Sequence, residues 1–301
     1  MPGEEFSISQ VAEASGLTVE TLRAWEKRYG KPKPGRSSSG RRVYNADHLA
    51  WLRRAAEALM LGVPPRQVVP LSTGALDRVL RTARLASLGE AAPTVRALLE
   101  AVRKLNARRV RTLLKGEIAK RPFPEFVGQV LAPAVARTGL DWESGTLGIQ
   151  HEHMFTQVVL DVLAQARGWC QIAPSEPARV LITTLPGETH AVGLSILSTV
   201  CTLEGLGYLD MGVETPVDSI RATVQETAVR VVGISVSMNT ASAESRAALS
   251  ELRHLLPTEV SVTVGGAGAR RVTQRVAGVI PFDDVMEWIQ FVKKACSESP
   301  G

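Results

Sequence analysis

Residues 180–193 read VLITTLPGETHAVG, and the C-terminal half of the chain is organised around them. An apolar run of Val180, Leu181, Ile182 and then Leu185 ends in Pro186-Gly187. Glu188-x-His190-x-x-Gly193 follows at once and leads into the apolar segment AVGLSILSTV. The run is short and β-branched enough for a buried parallel strand, and the segment after it has a helical pattern. His190 therefore falls in the turn at the carboxyl end of a strand, where open α/β sheets place their ligands. A neutral imidazole with a carboxylate two residues away, placed to fix its tautomer and raise its basicity, is built like a metal ligand with its supporting partner. Taken alone, the same histidine also reads as a loop residue bonded to a carbonyl. Gly193 would let a bulky ligand come close to the backbone.

The alternation continues downstream. Apolar strands are expected at Arg179–Thr184, Tyr208–Met211, Val231–Ser235, Val260–Val264 and Gly278–Pro281. Helical stretches at Ala191–Leu206, Val217–Glu226, Ala241–Leu255, Ala269–Ala277 and Asp284–Cys296 lie between and after them. This is the pattern of a doubly wound parallel sheet with right-handed crossovers. Gly212-Val-Glu-Thr215-Pro216 follows the second strand and faces the same crevice, either as an ordinary turn or with Thr215 in the pocket. Two later pieces complete a set: Gly233-Ile-Ser235-Val-Ser237-Met238 and Val264-Gly265-Gly266.

Three motifs in this order, each after an expected strand, resemble the cobalamin-binding domain shared by certain methyltransferases, mutases and photoreceptors. The resemblance implies His190 as the ligand to cobalt in place of the cofactor's own lower base, with Glu188 as its orienting partner. It implies a slot for the displaced nucleotide tail lined by Ser235, Gly265 and Gly266. The family's middle motif is usually Ser-x-Leu, and Ser235-Val-Ser237 departs from it at the last position.

At 301 residues and 45% hydrophobic, the chain is long enough for two or three domains with their own cores. The formal charge is only +5, but between Ala24 and Arg54 nine Lys or Arg stand against Glu26 and Asp47. Such a local basic excess invites phosphates. Cys170, Cys201 and Cys296 are far apart in sequence and show no metal-ligand or redox spacing, which fits a reduced cytosolic setting. With no signal-like N-terminus and no long apolar run, a cytoplasmic protein without a membrane span is expected.

Phe6 to Gly30 reads as two short helices, with Ser15-Gly16-Leu17 as the turn and Thr18 as the cap of the second. Val19 and Leu22 pack inward on that second helix and leave Arg23, Lys27 and Arg28 outside. Lys31-Pro-Lys-Pro-Gly-Arg36, a flexible SSSG and Arg41-Arg42-Val43-Tyr44 then read as a hairpin wing. The set Leu22-Arg23-x-Trp25-Glu26-x-Arg28-Tyr29-Gly30 plus Arg42-Val43-Tyr44 resembles the winged-helix DNA-binding domain of MerR-type regulators over residues 1–71. By that resemblance Arg23, Lys27, Arg28, Arg41, Arg42 and Tyr44 contact operator DNA, the helix reading base edges and the wing gripping phosphate. No heptad run long enough for a coiled-coil dimeriser follows.

Leu71-Ser72-Thr73-Gly74 reads as a linker, and from 75 to 170 the spacing is helical: Leu76–Leu88, Thr94–Leu105 with Ala107–Ile118, Pro124–Thr138, and Leu147–Arg167. This is a four-helix bundle, joined by a second linker, Gln171 to Ala178, to an α/β domain over 178–298. Within the bundle, Trp142 is followed by nine residues and then Glu152-His153. Adjacent helical residues point about 100° apart, so Glu152 and His153 can flank one bulky group while Trp142 covers it from the preceding loop.

That signature, with the order of the three domains, resembles the CarH and LitR photoreceptor family across nearly the full chain. The resemblance implies that Trp142, Glu152 and His153 surround the adenosyl group of adenosylcobalamin. It further implies a dark tetramer bound to its operator, which light dissociates by breaking the cobalt–carbon bond. Described members carry a histidine after the tryptophan that ligates cobalt after photolysis; here Glu143 stands in that place, so the photoproduct is expected to differ. The whole is a multidomain α and α/β chain: a winged helix-turn-helix, a four-helix bundle and a Rossmann-like doubly wound domain. The expected function is a non-enzymatic light-responsive repressor. The alternatives are a component of a cobalamin methyl- or radical-transfer enzyme, or a MerR-type regulator whose DNA binding ignores light.

Overall fold

The computed structural model describes residues 5–37, 40–87, 92–170, 172–274 and 276–297, the side chains of 81 and 85 excepted. It forms two compact units, Met1–Glu90 and Ala91–Gly301.

In the first unit, α1 (Ile8–Ser15) starts from a Ser7–Gln10 capping box and ends on Gly16 in the left-handed conformation. Thr18 caps α2 (Val19–Tyr29) by accepting a hydrogen bond from the Thr21 amide. Strands β1 (Gly35–Arg36) and β2 (Arg42–Val43) pair antiparallel as the expected wing; two residues of its SSSG tip, 38 and 39, lie outside the described residues. Helix α3 (Ala46–Met60) begins at an Asn45–His48 box, and α4 (Pro65–Val68) follows. Leu22, Trp25, Trp51 and Leu52 fill the core, the two tryptophans meeting edge to face with centroids 6.2 Å apart.

The stretch expected as a linker is helical: α5 (Thr73–Ser87) starts within it, and position 88, the expected end of this helix, is outside the described residues. Nor does α5 join the bundle. Leu76 and Leu80 are buried against α3 in the first unit's core, with ion pairs Arg54–Asp77 at 2.8 Å and Arg84–Glu57 at 2.6 Å beside them. The division between units therefore falls after 90 and not at 71–75. A helical period shows which face is apolar, not which core receives it. Leu76→Ala is expected to destabilise the first unit by about 2–5 kcal/mol, seen as lost amide-exchange protection over 5–87; a loss confined to 92–297 would contradict this placement.

The second unit opens with α6 (Pro93–Arg103), α7 (Ala107–Ile118) and α8 (Phe123–Phe126). A π-helical turn over Val127–Leu131 leads into α9 (Ala132–Glu143), and α10 (Ile149–Gly168) closes the bundle. The sequence spacing gave α8 to α9 as one helix; Pro133, in the first turn of α9, has no amide to donate, and the ladder widens just before it.

The α/β part runs β3 (Val180–Thr183), α11 (Val192–Leu203), β4 (Tyr208–Asp210), α12 (Val217–Glu226), β5 (Val231–Ser235), α13 (Ala243–Leu255), β6 (Ser261–Gly265), α14 (Ala269–Val272), β7 (Val279–Pro281) and α15 (Val285–Ser297). All strands are parallel in the order β4-β3-β5-β6-β7. The order reverses between β3 and β5, the switch point at which such sheets bind ligands. One apolar core runs from Val95 and Phe155 of the bundle to Val180 and Trp288 of the sheet layer. Arg167 pins α10 to α11, donating to the Ser195 carbonyl at 3.2 Å and to the hydroxyls of Ser195 and Thr199 at 3.0 and 2.9 Å. No helix among the described residues is long and apolar enough to cross a membrane.

Candidate cofactor site and nucleic-acid interface

The loop after β3 turns back on itself so that the Thr184 hydroxyl donates to the Glu188 carbonyl at 2.7 Å. Glu188 is left 3% exposed, and a buried carboxylate needs donors on both oxygens. Its Oε1 accepts from the backbone amide of His190 at 2.9 Å and from the ring Nδ1 at 2.6 Å. Its Oε2 accepts from the Ser237 amide at 2.6 Å and from the Thr240 hydroxyl. Burial by itself pushes the Glu188 carboxyl up; the bonds from His190, Thr240 and Ser237 together outweigh it and hold the group at about 2. The bond to Glu188 raises the His190 imidazole above its usual range, against burial, and the charge of Glu152 adds to it. With Nδ1 fixed to the carboxylate, Nε2 is the nitrogen free to bind a metal from a ring that is half-exposed.

Ser235 ends β5 in register with Gly265 of β6. Gly193 packs against it: a Cβ there would lie 2.0 Å from the Ser235 hydroxyl. The glycine expected to admit a ligand thus admits Ser235, and lets α11 sit close on the sheet. At Gly265 a Cβ would point into nearly open space, with only the Phe282 carbonyl 3.9 Å away, so the missing side chain leaves room at the sheet's carboxyl edge. An outward imidazole on a buried carboxylate, at the switch point of a sheet whose edge is open at Gly265, is a donor set that fits the cobalt of a cobalamin.

Thr215 is buried; its hydroxyl receives the Thr183 hydroxyl at 2.7 Å and donates to the Met211 carbonyl at 3.3 Å, bonds that tie β3 to the loop after β4 as an ordinary turn would. In the cap, Glu152 accepts from Thr156 at 2.7 Å and from His153 Nδ1 at 2.8 Å, and its charge reaches His190. The His153 side chain is 69% exposed. Trp142 is 38% exposed and sits in the last turn of α9, not in a loop: the helix runs through Gly139 and ends only at Glu143. Ser237 and Thr240 were missed by the sequence reading as supports of Glu188. The available signal was the hydroxyl-rich turn 237–242 after a buried strand.

In the first unit Arg23, Lys27 and Arg28 stand exposed on α2, and Arg41 and Arg42 are exposed on the wing. Tyr44 is a correction. It is 1% exposed, packed beside α3, and its hydroxyl donates to Glu26; burial, then Glu26, pushes the phenol well above its usual range. It braces the wing from inside and presents no surface to DNA.

Residues 6–71 match the family described as MerR HTH regulatory proteins. Residues 178–288 match a B12 binding domain, and the bundle, residues 94–167, matches a second B12 binding domain. The HTH-type transcriptional repressor CarH of Myxococcus xanthus is 30% identical over 301 residues, covering 96% of this chain and 98% of its own. The repressor CarA of the same organism is 26% identical and covers 87% of each chain. The solved monomethylamine corrinoid protein of Methanosarcina barkeri shares the fold, with a TM-score of 0.54 at 15% identity over 65% of this chain and 95% of that one. By its full-length likeness and its matched domains, the chain belongs to the CarH family of HTH-type transcriptional repressors and is a cobalamin-binding, DNA-binding regulator rather than an enzyme.

Proposed function

We propose that the protein takes adenosylcobalamin, binds operator DNA in the dark as a tetramer, and leaves the DNA when illuminated. The observation that carries this reading is the half-exposed His190 imidazole tied by Nδ1 to a buried carboxylate at 2.6 Å, in a chain whose likeness to the repressor CarH runs nearly end to end. His190 would hold the cobalt, oriented by Glu188, and Ser235, Gly265 and Gly266 would line the slot for the nucleotide tail. Trp142, Glu152 and His153 would enclose the adenosyl group. When bound, the cofactor supplies a cobalt–carbon bond that light breaks. The cap residues read whether their space is filled, and α10 relays the answer through its packing on α11.

Assembly matters because a single basic module binds DNA weakly and salt-sensitively. Joining modules raises avidity by about 10²–10⁴-fold. Loss of the tetramer is therefore enough to clear an operator. The test adds adenosylcobalamin to the purified chain in darkness and records its spectrum, its mass in solution and its retention of DNA before and after green light. A dark tetramer that retains DNA and falls apart on illumination is expected. A tetramer and DNA complex that persist through illumination would sink the light-controlled reading and leave a cobalamin-dependent repressor.

A further inference from the structure

We propose that Glu26, on the recognition helix, is a positioning residue for DNA binding: it aims Arg42 of the wing into a basic cleft that receives a backbone phosphate. Glu26 is nearly buried, its side chain 12% exposed. Its Oε1 accepts the Tyr44 hydroxyl, and its Oε2 pairs with Nε of Arg42 at 3.0 Å. One carboxylate of α2 therefore holds the wing strand at two successive points. The ion pair engages Arg42 through Nε, and among the described residues its half-exposed guanidinium has its terminal nitrogens left for a partner outside.

Beside this pair a cleft of about 310 Å³ opens between the end of α2 and the wing, lined by Glu26, Lys33, Arg36 and Arg42 together with Pro32 and Pro34. Three cations face it against one carboxylate that is already engaged, so its fixed charge suits a phosphodiester. Arg36 is held by its own bond to the Gly40 carbonyl at 2.9 Å, which keeps the cleft's second wall in place. Phosphate contacts fix the register in which a helix meets base edges. An Arg42 anchored to the recognition helix itself thus couples the grip on the backbone to the reading of the groove by Arg23, Lys27 and Arg28.

The inference rests on DNA binding by the first unit and is independent of light. The experiment uses the full chain with adenosylcobalamin in the dark. Two probes are compared: a duplex enriched by the wild-type protein from a random-sequence pool, and poly(dI-dC) as a polyanion without that sequence. Glu26→Gln keeps an acceptor for Tyr44 and removes the charge that orients Arg42. Expected is a loss of affinity on both probes of about tenfold, with the slope of log affinity against log salt smaller by about one, because a contact to backbone phosphate carries no base information. Unchanged affinity and slope on both probes mark an idle Glu26, and a fall in affinity with the slope unchanged marks a merely structural one; either overturns the inference. Should Glu26→Gln fail to fold, Arg42→Gln at the exposed end of the pair decides: the same loss of about one in slope is expected on both probes, and an unchanged slope overturns the proposal. If the wild-type protein binds the enriched duplex and the variants do not differ from it, the inference fails while the repressor reading stands.

Discussion

His190→Ala is expected to abolish stable corrinoid capture: the purified variant emerges colourless from dark incubation with adenosylcobalamin and gel filtration, where the wild type keeps the cofactor's visible absorbance. The size of the effect follows from what the residue does. The loop presents one imidazole whose Nδ1 is tied to a buried carboxylate, and among the described residues no group of three or more His, Cys, Asp or Glu side chains is placed to hold a metal ion in its stead. Removing a partner of a metal-bound histidine typically costs 10–100-fold in affinity. Glu188→Gln is therefore expected in that range, because an amide cannot accept on both ends and leaves the Ser237 amide or the Thr240 hydroxyl unpaired. His190→Ala removes the ligand itself and should exceed about 100-fold. The ordering is the test. If Glu188→Gln bound as tightly as wild type, or if His190→Ala retained colour with unchanged spectrum, the loop would not be the lower ligand site.

What the sequence disclosed, and what it hid, follows from contact range. The strand–loop–helix units around Glu188-His190-Gly193, Ser235 and Gly265-Gly266 are local patterns, and the structure reproduces each at the carboxyl edge of the sheet. The partners of Glu188 are not local: Ser237 and Thr240 come from the turn after another strand, and while the hydroxyls of that turn mark it as polar, they do not say which carboxylate it meets. Gly193 was legible as a place of close approach, but not that Ser235 is what approaches. Tyr44 carries the composition of a wing contact, and only the position of Glu26 shows it facing inward. Cys201 and Cys296 show no spacing that joins them, yet α11 and α15 bring them within electrostatic reach; burial first, then Cys296 and Asp210, pushes the Cys201 thiol up to about 12, which keeps it protonated and inert. The home of α5 was hidden for a related reason. Its apolar stripe suits either core, and the ion pairs to Asp77 and Glu57 that accompany its packing on α3 span more than twenty residues.

Gly266→Ala is expected to lower both the stability of the second unit and its hold on cobalamin, although residue 266 touches neither Glu188 nor His190. Gly266 has φ +94°, and a Cβ there would stand 2.5 Å from the carbonyl oxygen of Val236. That carbonyl cannot swing aside, since it accepts the Gly268 amide at 3.0 Å while the Val236 amide donates to Gly265 at 3.0 Å. Left-handed backbone strain of about 1–2 kcal/mol and overpacking of about 1–3 kcal/mol therefore act on the same peptide. Relief lies in moving Val236, and with it Ser237, whose amide is one of the two donors on Glu188 Oε2. The third motif of the α/β domain thus supports the first through the second, and a loosened Glu188 should weaken cobalamin binding about tenfold. Gly62→Ala is the control: φ is +82° with nothing within 4 Å of the added carbon, so it imposes conformational strain in the first unit with no clash. Denaturant unfolding and dark cobalamin titration of the two variants separate the terms. Equal destabilisation, with cobalamin affinity untouched in both, would show that the Gly-Gly turn neither lines the slot nor steadies Glu188; a loss of affinity confined to Gly266→Ala is the expected outcome.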